Sequence, residues 1–180
     1  IRITQVSIPT LTFYKRTSGS GKTTAVVICP GGGYGMVAAG HEGIDIAKVF
    51  NEWGVAAFVV KYRLPDDGIM VDKSIGPLQD AQRAIQLVRQ NAAQSTHFDK
   101  AVIDNPGNIS LRPDFSILIY PVISFTDSIV HKGSRNNLIG KDPSAEKIRE
   151  YSNELQVTQK TPPAFLVHAK DDKGVKYENS

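Results

Sequence analysis

Four short apolar runs punctuate this chain, and segments of helical periodicity lie between them. Ala25–Cys29 (AVVIC), Val55–Tyr62 (VAAFVVKY), Phe115–Ile123 (FSILIYPVI) and Ala164–Ala169 (AFLVHA) lack the polar alternation of half-solvated strands. They read as strands buried on both faces. Glu42–Trp53 repeats Ile46, Val49, Phe50 and Trp53 at three- and four-residue steps, with Gly54 as a C-cap. Leu78–Ala93 aligns Leu78, Ala81, Ile85 and Val88 on one face, with Pro77 just ahead. A further helix is expected over Ser144–Leu155, and loosely alternating strands over Ile1–Tyr14. Doubly buried strands alternating with amphipathic helices specify an α/β fold, a mostly parallel central sheet with helices on both faces. In such sheets chemistry gathers at the carboxyl ends of the strands. The loops after Cys29, Tyr62, Ile123 and Ala169 are therefore the places to look.

Composition narrows the function classes. The 180 residues fit one domain, 1–180. A net charge of +3 carried by scattered basic residues gives little support to nucleic-acid binding. No stretch approaches the ~18 apolar residues that span a bilayer. Cys29 is the sole cysteine and reads as a small buried side chain; it can form no internal disulfide. His41, His97, His131 and His168 make no ligand pair at metal-binding spacing, so no metal is expected. A small-molecule partner remains.

Two loops carry candidate chemistry. Pro30-Gly31-Gly32-Gly33-Tyr34 directly follows a strand. Consecutive glycines admit unusual dihedrals and close ligand approach, and their N–H groups can converge on an oxyanion. Gly32 and Gly33 are candidate oxyanion donors among these N–H groups. Gly31 and Tyr34 are expected to line the substrate site, and His41 and Glu42 its mouth, although Glu42 equally suits a helix start. His168-Ala169-Lys170-Asp171-Asp172 follows the last strand. Asp172 is the expected acid that orients a catalytic histidine, with Asp171 its competitor.

Other motifs read as structure. Thr17–Thr23 (TSGSGKT) resembles a phosphate loop, but Arg16 holds its first glycine position and a strand follows, so it reads as a surface turn. Ser144-Ala145-Glu146-Lys147 reads as a helix start rather than a catalytic S-x-x-K. Arg63 is expected to pin loops by salt bridges, and Asp80 to complement a helix dipole. No serine has glycine at both −2 and +2, and no histidine follows Asp172. The polar stretch STHFDKAVIDNPGNISLRPD also stands where alternation calls for a strand.

Together these residues resemble a known family. VVICPGGGYGMVAAGHEGIDIAKVFNEWGVAAFVVKYRLP, PLQDAQRAIQLVRQNAA, RPDFSILIYPVISF, GSRNNLIG and SNELQVTQKTPPAFLVHAKDD are similar to α/β-hydrolase serine esterases related to acetylxylan and other carbohydrate acetylesterases. The resemblance covers nearly all of residues 24–180. It implies hydrolysis of short acyl esters, acetyl groups on a plant polysaccharide or its oligosaccharides, without a cofactor. In the family the second helix leads to a strand and a G-F-S-A-G-G-H elbow, then to a segment like Thr96-His97-Phe98-Asp99. On that pattern roughly twenty residues are expected between Gln94 and Ser95. Losing a central strand and its helix would exceed a stability of ~5–15 kcal/mol, so omission is expected rather than true deletion. The family's histidine is expected beyond Ser180, and a natural start upstream of Ile1. The usual V-P-V-E-N-S stands here as Val175–Ser180 with Lys176 for proline. A secreted or periplasmic location suits such a substrate. Two alternatives stay open: a prolyl-oligopeptidase-type serine peptidase, and a non-catalytic binding protein on the same fold.

Overall fold

Ala56–Lys61 (β3) is the strand around which the first part of the molecule is built. In the computed structural model, which describes residues 1–19, 21, 23–91, 109–126 and 128–180, its four inner residues are all buried. Thr10–Tyr14 (β1) pairs with β3 antiparallel and Ala25–Ile28 (β2) pairs with it parallel, giving the order β1-β3-β2. The helix Asp45–Glu52 (α1) covers one sheet face, where its Ala47 joins Ala57 and Val59. The helix Gly76–Asn91 (α2) contributes Ala84 to the other cluster, with Val60, Tyr62, Leu64, Val6 and Val37. Burying each valine or leucine of these clusters contributes about 1.5–3 kcal/mol, and each alanine less.

The described residues divide into two compact units, residues 1–111 and 112–180. The second holds Ser116–Ile119 (β4) and Ala164–Val167 (β5), paired parallel, with the helices Lys132–Ile139 (α3) and Ala145–Glu150 (α4). The α/β character and the mainly parallel pairing follow the expectation. The Gln94–Ser95 junction, His97, and Ser20 and Lys22 of the glycine-rich turn lie outside the described residues.

Several expectations need correction. Burial on both faces holds fully only for β3. β2 is half-buried, β4 alternates, and β5 is exposed throughout, because a two-stranded ribbon offers its faces little cover. Cys29 is exposed rather than buried. Enough protein surrounds its thiol to push it up to about 11, so it stays protonated at neutral pH.

The helix phases also differ. On α1, Ile46, Val49 and Trp53 face solvent while Ala47 and Asn51 are buried. The Asn51 amide sets that phase: its Nδ2 donates to Tyr14 O at 2.9 Å and Val55 O at 3.0 Å, joining the helix to the ends of two strands. Gly54, at φ 75°, ends the helix as expected. On α2, Leu78 is exposed, and Pro77, Asp80 and Ala84 point inward.

Asp80 does more than complement a dipole. Its carboxylate receives the Arg63 backbone N–H at 2.8 Å and the guanidinium at 2.7–3.1 Å, which is the loop-pinning expected of Arg63. Ser144 caps α4, its hydroxyl accepting from Lys147 N at 3.2 Å, so the S-x-x-K string is a helix start.

The Arg63–Asp80 pair yields a stability prediction. Asp80→Ala leaves a partly buried guanidinium and a backbone N–H unmatched, and should lower unfolding free energy by about 1–3 kcal/mol. Urea denaturation should show a lower midpoint at constant slope. An unmoved midpoint would show that the pair contributes nothing.

Candidate active site

The glycine loop begins where β2 runs out. Pro30 is fully buried, and its carbonyl accepts from the Tyr62 hydroxyl at 2.7 Å. Burial first, then Tyr34, Cys29 and Glu42, push the Tyr62 phenol well above its ordinary range, so it remains a donor. Gly31 is tied at both its backbone groups: its carbonyl accepts from Ala38 N at 2.9 Å, and its N–H donates to Glu42 Oε2 at 2.7 Å.

Gly32 has φ 135°, and a Cβ there would lie 2.2 Å from Met36 O, so the position admits only glycine. Gly33 and Tyr34, at φ 60° and 62°, form the centre of a tight turn closed by Gly35 N donating to Gly32 O at 3.1 Å. Tyr34 accepts its left-handed backbone while packing against the cluster around Val37 and Val60. Among the described residues no acceptor takes the Gly32 N–H. His41 is exposed, with Nε2 3.4 Å from Glu42 Oε1.

The acid loop lies in the second unit. Asp172 Oδ1 accepts from Gly174 N at 2.8 Å and Val175 N at 3.0 Å. Those two amides, with a smaller contribution from His168, hold its carboxyl below the usual carboxylate range against a modest desolvation cost. Oδ2 lies 3.4 Å from Nε2 of His168, whose side chain is nearly buried. That nitrogen is 2.9 Å from the Val175 carbonyl, which can only accept, so Nε2 carries a proton. Asp171 is exposed and has no ion-pair partner among the described residues.

The loop is locked by buried Asn179. Its Oδ1 accepts from Ile123 N and Ser124 N, both at 3.0 Å, and its Nδ2 donates to Ile129 O and Lys176 O. Among the described residues no group of three or more His, Cys, Asp or Glu is placed to hold a metal ion, and no helix is long and apolar enough to cross a membrane.

No family model matches the sequence. An acetylxylan esterase of Xylanibacter ruminicola is 35% identical over 167 residues, covering 83% of this chain and 34% of that protein. An endo-1,4-beta-xylanase B of Butyrivibrio fibrisolvens is 34% identical over 184 residues, 88% of this chain and 28% of that protein. The chain thus spans about a third of the length of the curated relatives it matches. The crystal structure of an acetyl ester-xyloside bifunctional hydrolase from Caldicellulosiruptor lactoaceticus matches with a TM-score of 0.80 and 32% identity, over 96% of this chain and 70% of that one. The chain belongs to the acetylxylan esterase-like family of α/β-hydrolases.

Of the residues singled out as this family's site, Gly31, Gly32, Gly33, Tyr34, His41 and Glu42 come together in one loop and the turn after it. Asp172 stands in the second unit. Sequence reasoning gave no role to Tyr62, His168 or Asn179. The i, i+4 spacing of His168 and Asp172 was a visible signal for one of them; nothing local marked the other two.

The Asp172 surroundings predict a pH dependence. Its folded pKa is depressed, so its contribution is present above the unfolded value of about 3.9 and is lost as pH falls through the folded value. The stability difference between wild type and Asp172→Asn should be constant above about pH 5 and close below about pH 4. A difference that does not change across that window, in thermal melts at matched ionic strength, would refute the charge-assisted loop.

Proposed function

We propose that the full-length protein is a serine-dependent carboxylic ester hydrolase that removes acetyl groups from a carbohydrate such as xylan or its oligosaccharides. The observation that carries this reading is the Pro30–Tyr34 loop. Two conformationally special glycines follow a sheet strand, the first with an N–H that no acceptor takes among the described residues, in a chain whose relatives are named for acetylxylan and acetyl ester-xyloside hydrolysis. Those names favour an ester over the peptide substrate of a prolyl-oligopeptidase-type enzyme.

In this reading a serine on an elbow between Gln94 and Ser95 attacks the acetyl carbonyl. A histidine beyond Ser180 takes the serine proton and passes it to the sugar oxygen as the acyl C–O bond breaks, so that the sugar leaves as its hydroxyl. Water then attacks the acetyl-enzyme by the same route, releasing acetate. Asp172 orients the histidine and stabilises its protonated form. The Gly32 and Gly33 N–H groups receive the oxyanion; losing one such donor costs about 3 kcal/mol of transition-state stabilisation. Gly31 and Tyr34 border the acyl group, and His41 lines the mouth.

We also take residues 1–180 as parts of one domain. Both hydrophobic clusters belong to the first unit, while Ile117, Ile119, Phe165 and Val167 of the second are exposed in its ribbon. A unit that leaves its strands uncovered is a poor candidate for independent folding.

The test is turnover of p-nitrophenyl acetate and acetylated xylo-oligosaccharides by the full-length protein. A serine-directed organophosphate should abolish it, and Asp172→Ala should lower kcat ~10³–10⁴-fold. Turnover that survives both treatments would overturn the assignment.

A further inference from the structure

At the root of the glycine loop the Gly31 N–H is already spent on a side chain. The peptide plane joining Pro30 to Gly31 is fixed at both ends: its carbonyl by the Tyr62 hydroxyl, its N–H by the Glu42 carboxylate, each at 2.7 Å. The next plane joins Gly31 to Gly32. Its carbonyl is drawn toward Ala38 N at 2.9 Å. In a trans peptide the carbonyl and the N–H point in opposite directions, so this second plane aims the Gly32 N–H away from Ala38. Two consecutive planes, held at three of their four polar ends, leave one donor outward.

Glu42 reaches Gly31 through an uncommon backbone. Gly40–Ile44 forms a π-type turn, with Ile44 N donating to Ala39 O at 2.9 Å and Asp45 N to Gly40 O. Such wide turns shift the phase of side chains relative to a regular helix and recur at functional sites. Gly43 lets the turn sit against the loop's root: a Cβ there would lie 3.0 Å from Val59 Cγ1 and 3.1 Å from Pro30 Cγ. At Gly31 a Cβ would lie 2.7 Å from Glu42 Oε2, so a larger residue there displaces the carboxylate from the N–H it holds.

The charge argues about purpose. A carboxylate beside an anion-binding loop opposes the negative charge that develops there. If the loop needed only electrostatic stabilisation, an anion at Gly31 would be the wrong group. As a strong fixed acceptor it makes sense, because a charge-assisted hydrogen bond to N–H is about twice as strong as a neutral one.

We propose that Glu42 is a positioning residue: it removes the Gly31 N–H from the set of oxyanion donors and fixes the peptide plane at the root of the loop, on which the orientation of the Gly32 N–H depends. The proposal rests on the ester-hydrolase reading above and changes the expected role of Glu42 from lining the substrate site to holding the loop.

The test compares full-length wild type with Glu42→Gln, Glu42→Ala and Gly31→Ala, reading p-nitrophenyl acetate kinetics and amide hydrogen exchange at Gly31. Glu42→Gln keeps an acceptor without the charge and should hold kcat within about threefold of wild type. Glu42→Ala and Gly31→Ala should lower kcat by tenfold or more with KM within about twofold, the pattern of an interaction expressed in the transition state. Exchange at residue 31 should accelerate about tenfold or more in Glu42→Ala and stay slow in Glu42→Gln. If Glu42→Gln falls as far as Glu42→Ala, the carboxylate acts as a charge or proton carrier and the positioning role is wrong. Unchanged kcat or unchanged exchange in Glu42→Ala also overturns it. A wild type without turnover whose exchange follows the expected pattern refutes the hydrolase reading and leaves the loop lock standing.

Discussion

The first unit depends on a single doubly buried strand. β3 hydrogen-bonds to β1 on one edge and β2 on the other, and its alternate side chains seed the two hydrophobic clusters. It also ends next to Tyr62, whose hydroxyl holds Pro30 at the root of the glycine loop. The strand therefore couples burial to geometry. The apolar free energy that fixes β3 in the sheet also fixes the height at which the loop leaves β2. Arg63, one residue further on, passes that order to α2 through Asp80. A local change in β3 would reach the loop through Tyr62 and the helix through Arg63, with no long relay required.

Much of this was legible in the sequence wherever apolar burial alone decided the outcome. VAAFVVKY has no other use than a buried strand, and the α/β class followed from its alternation with helical periodicity. The helix phases were not legible, because two polar residues decided them. Asn51 and Asp80 face inward since their partners, Tyr14 O and Val55 O for one and Arg63 for the other, lie across the fold. A periodicity argument treats such residues as surface and turns the helix the wrong way. Helix α3 was missed for the opposite reason. KGSRNNLI has weak intrinsic propensity and is held by a His131 cap and by burial of Ser134, Leu138 and Ile139.

The candidate site divides in the same manner. Three glycines after a strand signal an unusual backbone, and the positive φ values at Gly32, Gly33 and Tyr34 agree. That Glu42 binds Gly31 could not be read, because the π turn shifts the phase on which any spacing argument relies. In the acid loop the sequence offered two adjacent aspartates and no means of ranking them beyond family resemblance. Asp172 differs from Asp171 by its environment: two loop amides on one oxygen, His168 near the other, and Asn179 using all four of its hydrogen-bonding positions to hold the segment.

The two loops illustrate different ways of making a backbone rigid. The glycine loop is held mainly from outside, by a phenol, a carboxylate and an amide donor on three separate elements, and it tolerates a non-glycine residue at φ 62°, a strain of about 1–3 kcal/mol. In the acid loop the carboxylate is held from within, by the Gly174 and Val175 amides, while Asn179 ties the segment to Ile123, Ser124 and Ile129 outside it. A carboxylate that only has to remain ionised needs nothing further, since N–H donors on one oxygen accomplish that. Donors that must meet a charge lasting only through a transition state need their orientation fixed beforehand, because reorganising during the reaction would consume the stabilisation they supply. External locking is the costlier arrangement in buried polar groups and strain, and it lies on the loop whose proposed role requires it.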